Sequence, residues 1–231
     1  METTRSHQQR IDAGIGFQWD SFPPYLLEPP RADATDRLLR LRRKGKSHRG
    51  VSACTSVREL WAHSVDEAFL AEICELKELT FLHIEGTSVS DLSPLRRLSK
   101  LDRLFITGAT KVRDLAFLDA HSRLSALGLE HFPEVRDLEP ISSLPELVGL
   151  AFEGSVWTPG QVVSLSPLKT LARLQCLCIV NLKVGDGSLR PLHELPSLQA
   201  LQCANYFSEL EFSALKSSKP NLECDWLETA A

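Results

Sequence analysis

A short hydrophobic phrase recurs along the chain at nearly constant spacing, and this recurrence constrains the fold more than any other feature. VRELWAHS begins at Val57, LTFLHIEG at Leu79, LDRLFITG at Leu101, LSALGLEH at Leu124, LVGLAFEG at Leu147, LQCLCIVN at Leu174, LQALQCAN at Leu198 and the truncated LECDWL at Leu222. Successive starts lie 22, 22, 23, 23, 27, 24 and 24 residues apart. The fourth and sixth places are apolar with other residues between them, a period of two that predicts a short strand. A second phrase follows about ten residues on: VSDLSPLRRL, VRDLAFLDAH, VRDLEPISSL, VVSLSPLKTL and SLRPLHEL. Its period of three to four predicts a helical turn. One strand and one turn cannot bury their own leucines, whereas stacked copies bury them in a continuous column. The chain has 39 leucines among 231 residues, and 34 of them fall from residue 57 onward, while hydrophobic residues total an ordinary 43%. The excess belongs to the repeat and not to overall hydrophobicity.

Polar residues at fixed places support this reading. Asp91, Asp114 and Asp137 stand just before their turns, where a carboxylate can accept the free N–H groups of a helix start. Pro94, Pro140, Pro167 and Pro191 sit early in the turns, where a missing donor costs little.

The phrases VSDLSPLRRLSKL, VRDLAFL and VRDLEPISSLPEL resemble the 22-residue class of leucine-rich repeats, found in protein-phosphatase regulators and in internalin-like bacterial proteins. The resemblance covers about Val57 to Leu227. It implies an α/β solenoid, a right-handed horseshoe with a parallel concave sheet and short helices or 3-10 turns on the convex side. It also implies a protein partner. The family pattern usually has Asn at the ninth place, where this chain has Thr87, Ala109, Phe132 and Ser155, with Asn181 and Asn205 one place earlier. The turn after each strand must be satisfied some other way.

Three regions follow. Residues 1–56 precede the ladder and read as an N-terminal cap. They hold an aromatic stretch (Phe17, Trp19, Phe22, Tyr25) that either covers the first repeat or docks elsewhere. They also hold a basic stretch, 36–50, with seven Lys/Arg. Residues 57–206 make about seven repeats, and 207–231, with Phe207, Phe212 and Trp226, read as a C-terminal cap. Residues 1–50 carry 10 Lys/Arg against 6 Asp/Glu, whereas 51–231 carry 16 against 24.

In stacked strands the third, fifth and seventh places face the concave side and form rows. The N-terminal half of these rows brings Trp61, Phe81, His83 and Phe105 together beside Arg103, with His63 and Glu85 adjacent. Clustered aromatics facing solvent, with arginine, are interface chemistry; the alternative is that residues 1–56 cover the cluster. The C-terminal half has a floor of Gly, Ala and Cys that leaves room for another backbone. Glu130 and Glu153 should be neighbours of like charge, which calls for a cationic group. The 27-residue repeat must bulge, and Trp157 on that bulge is either an exposed anchor or a lid over the leucines. These ten residues are the expected partner-binding set. The expected function is non-catalytic protein recognition on the concave face, as an inhibitor, regulatory subunit or immunity-type protein whose partner has a basic surface. The alternative is a nucleic-acid or membrane-surface adaptor using 36–50.

Other classes find little support. His63 and Glu85 lack a nearby nucleophile, so no catalytic constellation forms and the chain is not expected to be an enzyme. Cys176 and Cys178 share one side of a strand without enough further ligands for a metal. No phosphate-binding glycine motif occurs, so no cofactor or small-molecule substrate is expected. No apolar run is long enough to span a membrane. METTRSHQQRIDAGIG lacks the apolar core of a secretory signal, so a cytoplasmic location with six free thiols is expected.

Overall fold

The computed structural model describes residues 5–16 and 19–224. Among them, eight strands form one parallel sheet, in the order β1 (Leu38–Arg42), β2 (Glu59–Val65), β3 (Phe81–Thr87), β4 (Arg103–Thr107), β5 (Ala126–Glu130), β6 (Gly149–Glu153), β8 (Cys176–Ile179) and β10 (Ala200–Cys203). Two further strands, β7 (Gly160–Val162) and β9 (Leu182–Val184), pair in parallel beside it. The large sheet keeps a constant register. Leu60, Leu82, Leu104, Leu127, Leu150, Leu177 and Leu201 lie opposite one another from strand to strand. All seven are buried behind the sheet in the main core.

The convex side is built from five-residue 3-10 turns at Ser93–Arg97, Ala116–Ala120, Glu139–Ser143, Ser166–Thr170 and Arg190–Glu194. Asp91, Asp114 and Asp137 do accept N–H groups at the turn starts, from Ser93 (2.8 Å), Ala116 (3.0 Å) and Glu139 (2.8 Å). Each carboxylate replaces a hydrogen-bond partner that the short turn lacks. The first repeat differs. Its turn is the α-helix α2 (Glu67–Ile73), with Asp66 accepting the Phe69 N–H at 2.9 Å.

The eighth place of the repeat does the work expected of the missing asparagine row. Ser64, Gly86, Gly108, His131 and Asn181 all have φ between 52° and 73°. The left-handed residue swings the chain out of the strand, and the amide then bonds the next strand's end: the Gly108 N–H donates to the Glu130 carbonyl and the His131 N–H to the Glu153 carbonyl, each at 3.0 Å. Three of the five are not glycine, so this turn carries backbone strain of roughly 1 kcal/mol per residue.

The sheet begins one strand earlier than the ladder. Strand β1 lies inside the segment read as an N-terminal cap and pairs with β2 from Leu38–Glu59 to Arg42–His63. Leu39 and Leu41 continue the leucine column. At the other end, α3 (Glu209–Ser218) closes the stack, with Ser208 accepting the Glu211 N–H and Phe207, Phe212 and Leu215 buried. Trp226 lies outside the described residues. Replacing a column residue should be costly: Leu127→Ala is expected to lose about 2–5 kcal/mol. Leu210→Ala, on the exposed face of α3, should stay within about 0.5 kcal/mol. Urea unfolding of the two variants checks this.

Candidate functional site

The concave face is already occupied by the chain's own N-terminus. Helix α1 (Arg5–Asp12) and the turn after it lie across the strands as a strap. At the β10 end Gln9 bonds Glu223. Over β6, Arg10 grips Glu153 with both guanidinium nitrogens, at 2.7 and 3.3 Å. The Ala13 carbonyl and Ile15 press on Gly149 so closely that any Cβ there would collide with them. Gly14 (φ 76°) reaches the Ala126 methyl. Ala13 and Ile15 form a second apolar cluster with Phe81, Phe105, Ala126, Ala151, Cys176, Cys178 and Ala200, separated from the main core by the sheet. The floor of Gly, Ala and Cys is thus what lets a polypeptide lie flat on the strands.

Toward β1 the cover changes from small residues to aromatic rings. Phe22 meets the Trp61 ring edge-on at 5.8 Å and packs on Phe81 at 5.5 Å. Trp61 stacks on His83, 5.4 Å away and 8° from parallel, and on His63 at 4.8 Å. The Arg40 guanidinium lies 3.5 Å over the Trp61 ring, a strong cation–π geometry. Arg40 also donates to His63 Nε2 at 3.0 Å, and His63 Nδ1 lies 3.1 Å from Glu85. That fixes His63 as a neutral ring donating from Nδ1. Trp61 donates to the same carboxylate at 2.9 Å. Burial is the main cause that lowers the pKa of His63, and burial pushes His83 down to about 3.

The rows therefore run as expected, with Trp61, His83 and Phe105 adjacent and His63, Glu85 and Thr107 adjacent. Of the two outcomes for the aromatic members, solvent exposure or cover by residues 1–56, the structure shows cover. Trp61 is 1% exposed and Phe105 8%, and Phe81, His63 and His83 are also buried. The physical reason is cover from Phe22, Tyr25, Arg40 and the strap. Arg103, half-buried, lies 4.8 Å over the Phe81 ring. Glu130 and Glu153 are direct neighbours, as expected, and the cation they call for is the chain's own Arg10. Glu130 keeps no ion-pair partner among the described residues. Burial first, and then Glu153, raises its pKa.

Trp157 is not a lid over the leucines: it is 91% exposed. Its loop is nonetheless tied down. Ser155 and Thr158 exchange two hydrogen bonds at 2.9 Å, Asn181 donates to the Ser155 carbonyl at 2.6 Å, and Tyr206 donates to Asn181 at 2.9 Å. Val156 is exposed beside it, with Val180 and Tyr206 half-exposed. Between this rim and the acidic pair lies an open cleft of about 430 Å³, lined by Arg10, Glu130, Glu153, Val156, Val180 and Asn181.

Sequence reasoning missed Arg10, Ala13 and Ile15, because a polar helix of eight residues carries no repeat signal. Of the seven cations in 36–50, Arg40 and Arg42 lie over Trp61 and Tyr25, and Arg43 binds Asp66 at 3.1 Å and the Ser64 carbonyl at 2.7 Å. Phe17 and the Trp19 side chain lie outside the described residues. Among the described residues no group of three or more His, Cys, Asp and Glu is arranged for a metal ion, and no helix is long and apolar enough to cross a membrane.

The buried histidines imply a pH dependence. A histidine whose folded pKa is depressed binds fewer protons folded than unfolded. Stability is therefore full above the unfolded value of about 6.5 and is lost as pH falls from there toward the folded value. His83→Phe keeps the ring stack and removes this titration. Relative to wild type it should gain on the order of 2 kcal/mol between pH 6.5 and 4.5, read from urea midpoints at the two pH values. An unchanged difference between the two proteins would exclude His83 as a titrating core group.

No protein-family model and no curated protein sequence matches the chain. Solved structures similar to it include two internalins. One is an internalin (inlF) from Listeria monocytogenes, with a TM-score of 0.61 and 18% identity over 80% of this chain and 52% of that one. The other is an internalin C2 (inlC2) from the same organism, with a TM-score of 0.53 and 19% identity over 75% of this chain and 71% of that one. The chain thus spans about half the length of the first. The constant register, the leucine column, the convex 3-10 turns and this likeness agree that the chain folds as a leucine-rich-repeat solenoid of the internalin-like kind.

Proposed function

We propose that this chain is a non-catalytic recognition module that binds a partner protein at the rim where β6, β8 and β10 end. The carrying observation is Trp157, a large apolar side chain held almost fully in solvent by a loop whose backbone is tied by the Ser155–Thr158 bonds and by Asn181. An exposed tryptophan on a rigid support loses little entropy on docking and buries a large area. Val156, Val180 and Tyr206 extend the apolar patch, and Glu130 beside it supplies an unneutralised charge. The partner that fits presents an apolar pocket for Trp157 and a lysine or arginine for Glu130. An inhibitor, a regulatory subunit or an immunity-type protein would all use such a surface. Catalysis finds no support in the geometry, since the His63–Glu85 pair is held by Arg40 and Trp61. The basic stretch 36–50 has three of its seven cations engaged within the fold, which weakens its case as an adaptor surface.

Affinity capture from cell extract of the source organism, with mass spectrometry, identifies the partner. Trp157→Ala should then weaken binding at least 30-fold, as expected of a central anchor. Glu130→Lys should weaken it through the on-rate and reduce its salt dependence, while Leu210→Ala should leave it unchanged. A partner held equally by all four proteins would place recognition elsewhere.

A further inference from the structure

Residues 5–16 fill their groove as a bound peptide would. Among the described residues no backbone hydrogen bond joins the strap to a β-strand, and side chains tie it to the sheet side, among them Gln9 to Glu223 and Arg10 to Glu153. Over its described residues, Arg5–Asp12, the helix is short and polar, so it is marginal without the groove. The groove, by contrast, is built by the sheet itself. Gly149 has no side chain where the Ala13 carbonyl and Ile15 sit, and its row neighbours Ala126, Cys176 and Ala200 are small. Glu153 is held at one side by the strand register, next to Glu130. Two adjacent carboxylates above a trench of small residues select a cationic, tightly turning segment, and Arg10–Ile15 is one such segment.

We propose that the strap is an internal stand-in, and that the groove beneath it is a docking site for a partner segment of the same chemistry: a short helical turn with an arginine for Glu153, followed by a small and then a branched apolar residue over Gly149. The partner's segment and the strap exclude each other, so the strap must lift before the segment enters. This rests on the recognition reading above and deepens it, because the rim around Trp157 borders the same acidic pair.

The test uses the full chain and a fluorescein-labelled peptide of residues 5–16. Arg10→Glu places a carboxylate against Glu153 and should open the strap. Alkylation of Cys176 and Cys178, both buried beneath it, should then speed up about tenfold in native buffer, and the reversed pair Arg10→Glu with Glu153→Arg should restore protection. The opened variant should bind the peptide saturably and at least tenfold more tightly than the native chain. A second variant, Arg10→Glu with Ile15→Ala, should do the same, and cooperative unfolding confirms that each is folded. Unchanged alkylation together with no peptide binding would show the strap to be a fixed part of the core and overturn the proposal. The two readings fail separately. If the peptide binds in trans but no partner depends on Trp157, the rim reading falls. If a Trp157-dependent partner stays on the opened variant at saturating peptide, the groove is not its docking site and the present proposal falls.

Discussion

The structure depends on one constraint: no repeat can bury its leucines alone, so every strand must stack on the next in the same register. A slip of one residue would turn the leucine column to the concave side and the polar rows into the core. Register is therefore the most strongly specified property of the chain, and the concave surface inherits its order from it. Glu130 stands beside Glu153, and Trp61 beside His83, because Leu127 stands beside Leu150 and Leu60 beside Leu82. The functional rows are a by-product of packing on the other face.

This explains what could be read from the amino acids and what could not. The strands, the convex turns, the aspartates that cap them and the neighbour relations along each row all follow from a periodic pattern. Strand β1 did not, because LLRLR stands alone, with no turn phrase at the right distance after it, although its Leu39 and Leu41 join the same column. The cover over the concave face did not either. Arg10 and Glu153 are 143 residues apart, and nothing periodic links them. The sequence pattern shows that a row faces away from the leucines, but it cannot show whether solvent or another segment lies there. Trp61 and Trp157 illustrate the difference: both read as candidate anchors, and they end at 1% and 91% exposure.

The small-residue floor and the acidic pair leave room and charge for an occupant. The occupant is internal. Adjacent carboxylates are tolerable here because Arg10 meets one of them with a two-point contact, while partial burial and the neighbouring charge raise the pKa of the other. The likeness to the internalin structures bears on none of this. At 18–19% identity it concerns the stacking of strands and turns, whereas the strap lies across the strands.

The cover is held by different chemistry at its two ends. Near β2 and β3 it consists of Phe22 and Tyr25 packed on rings, backed by β1, whose backbone bonds join the sheet. Near β6 and β10 it consists of Ala13 and Ile15 packed on the small-residue floor, together with side-chain contacts to Glu153 and Glu223 at partly solvated positions. Apolar packing and ladder bonds are indifferent to ionic strength, whereas a charge pair at a partly exposed site is screened by salt. The two ends therefore respond to different conditions. The end that ionic conditions or a competing cation can loosen is the one beside the exposed Trp157. The end that closes the aromatic stack is continuous with the sheet and holds against the same conditions.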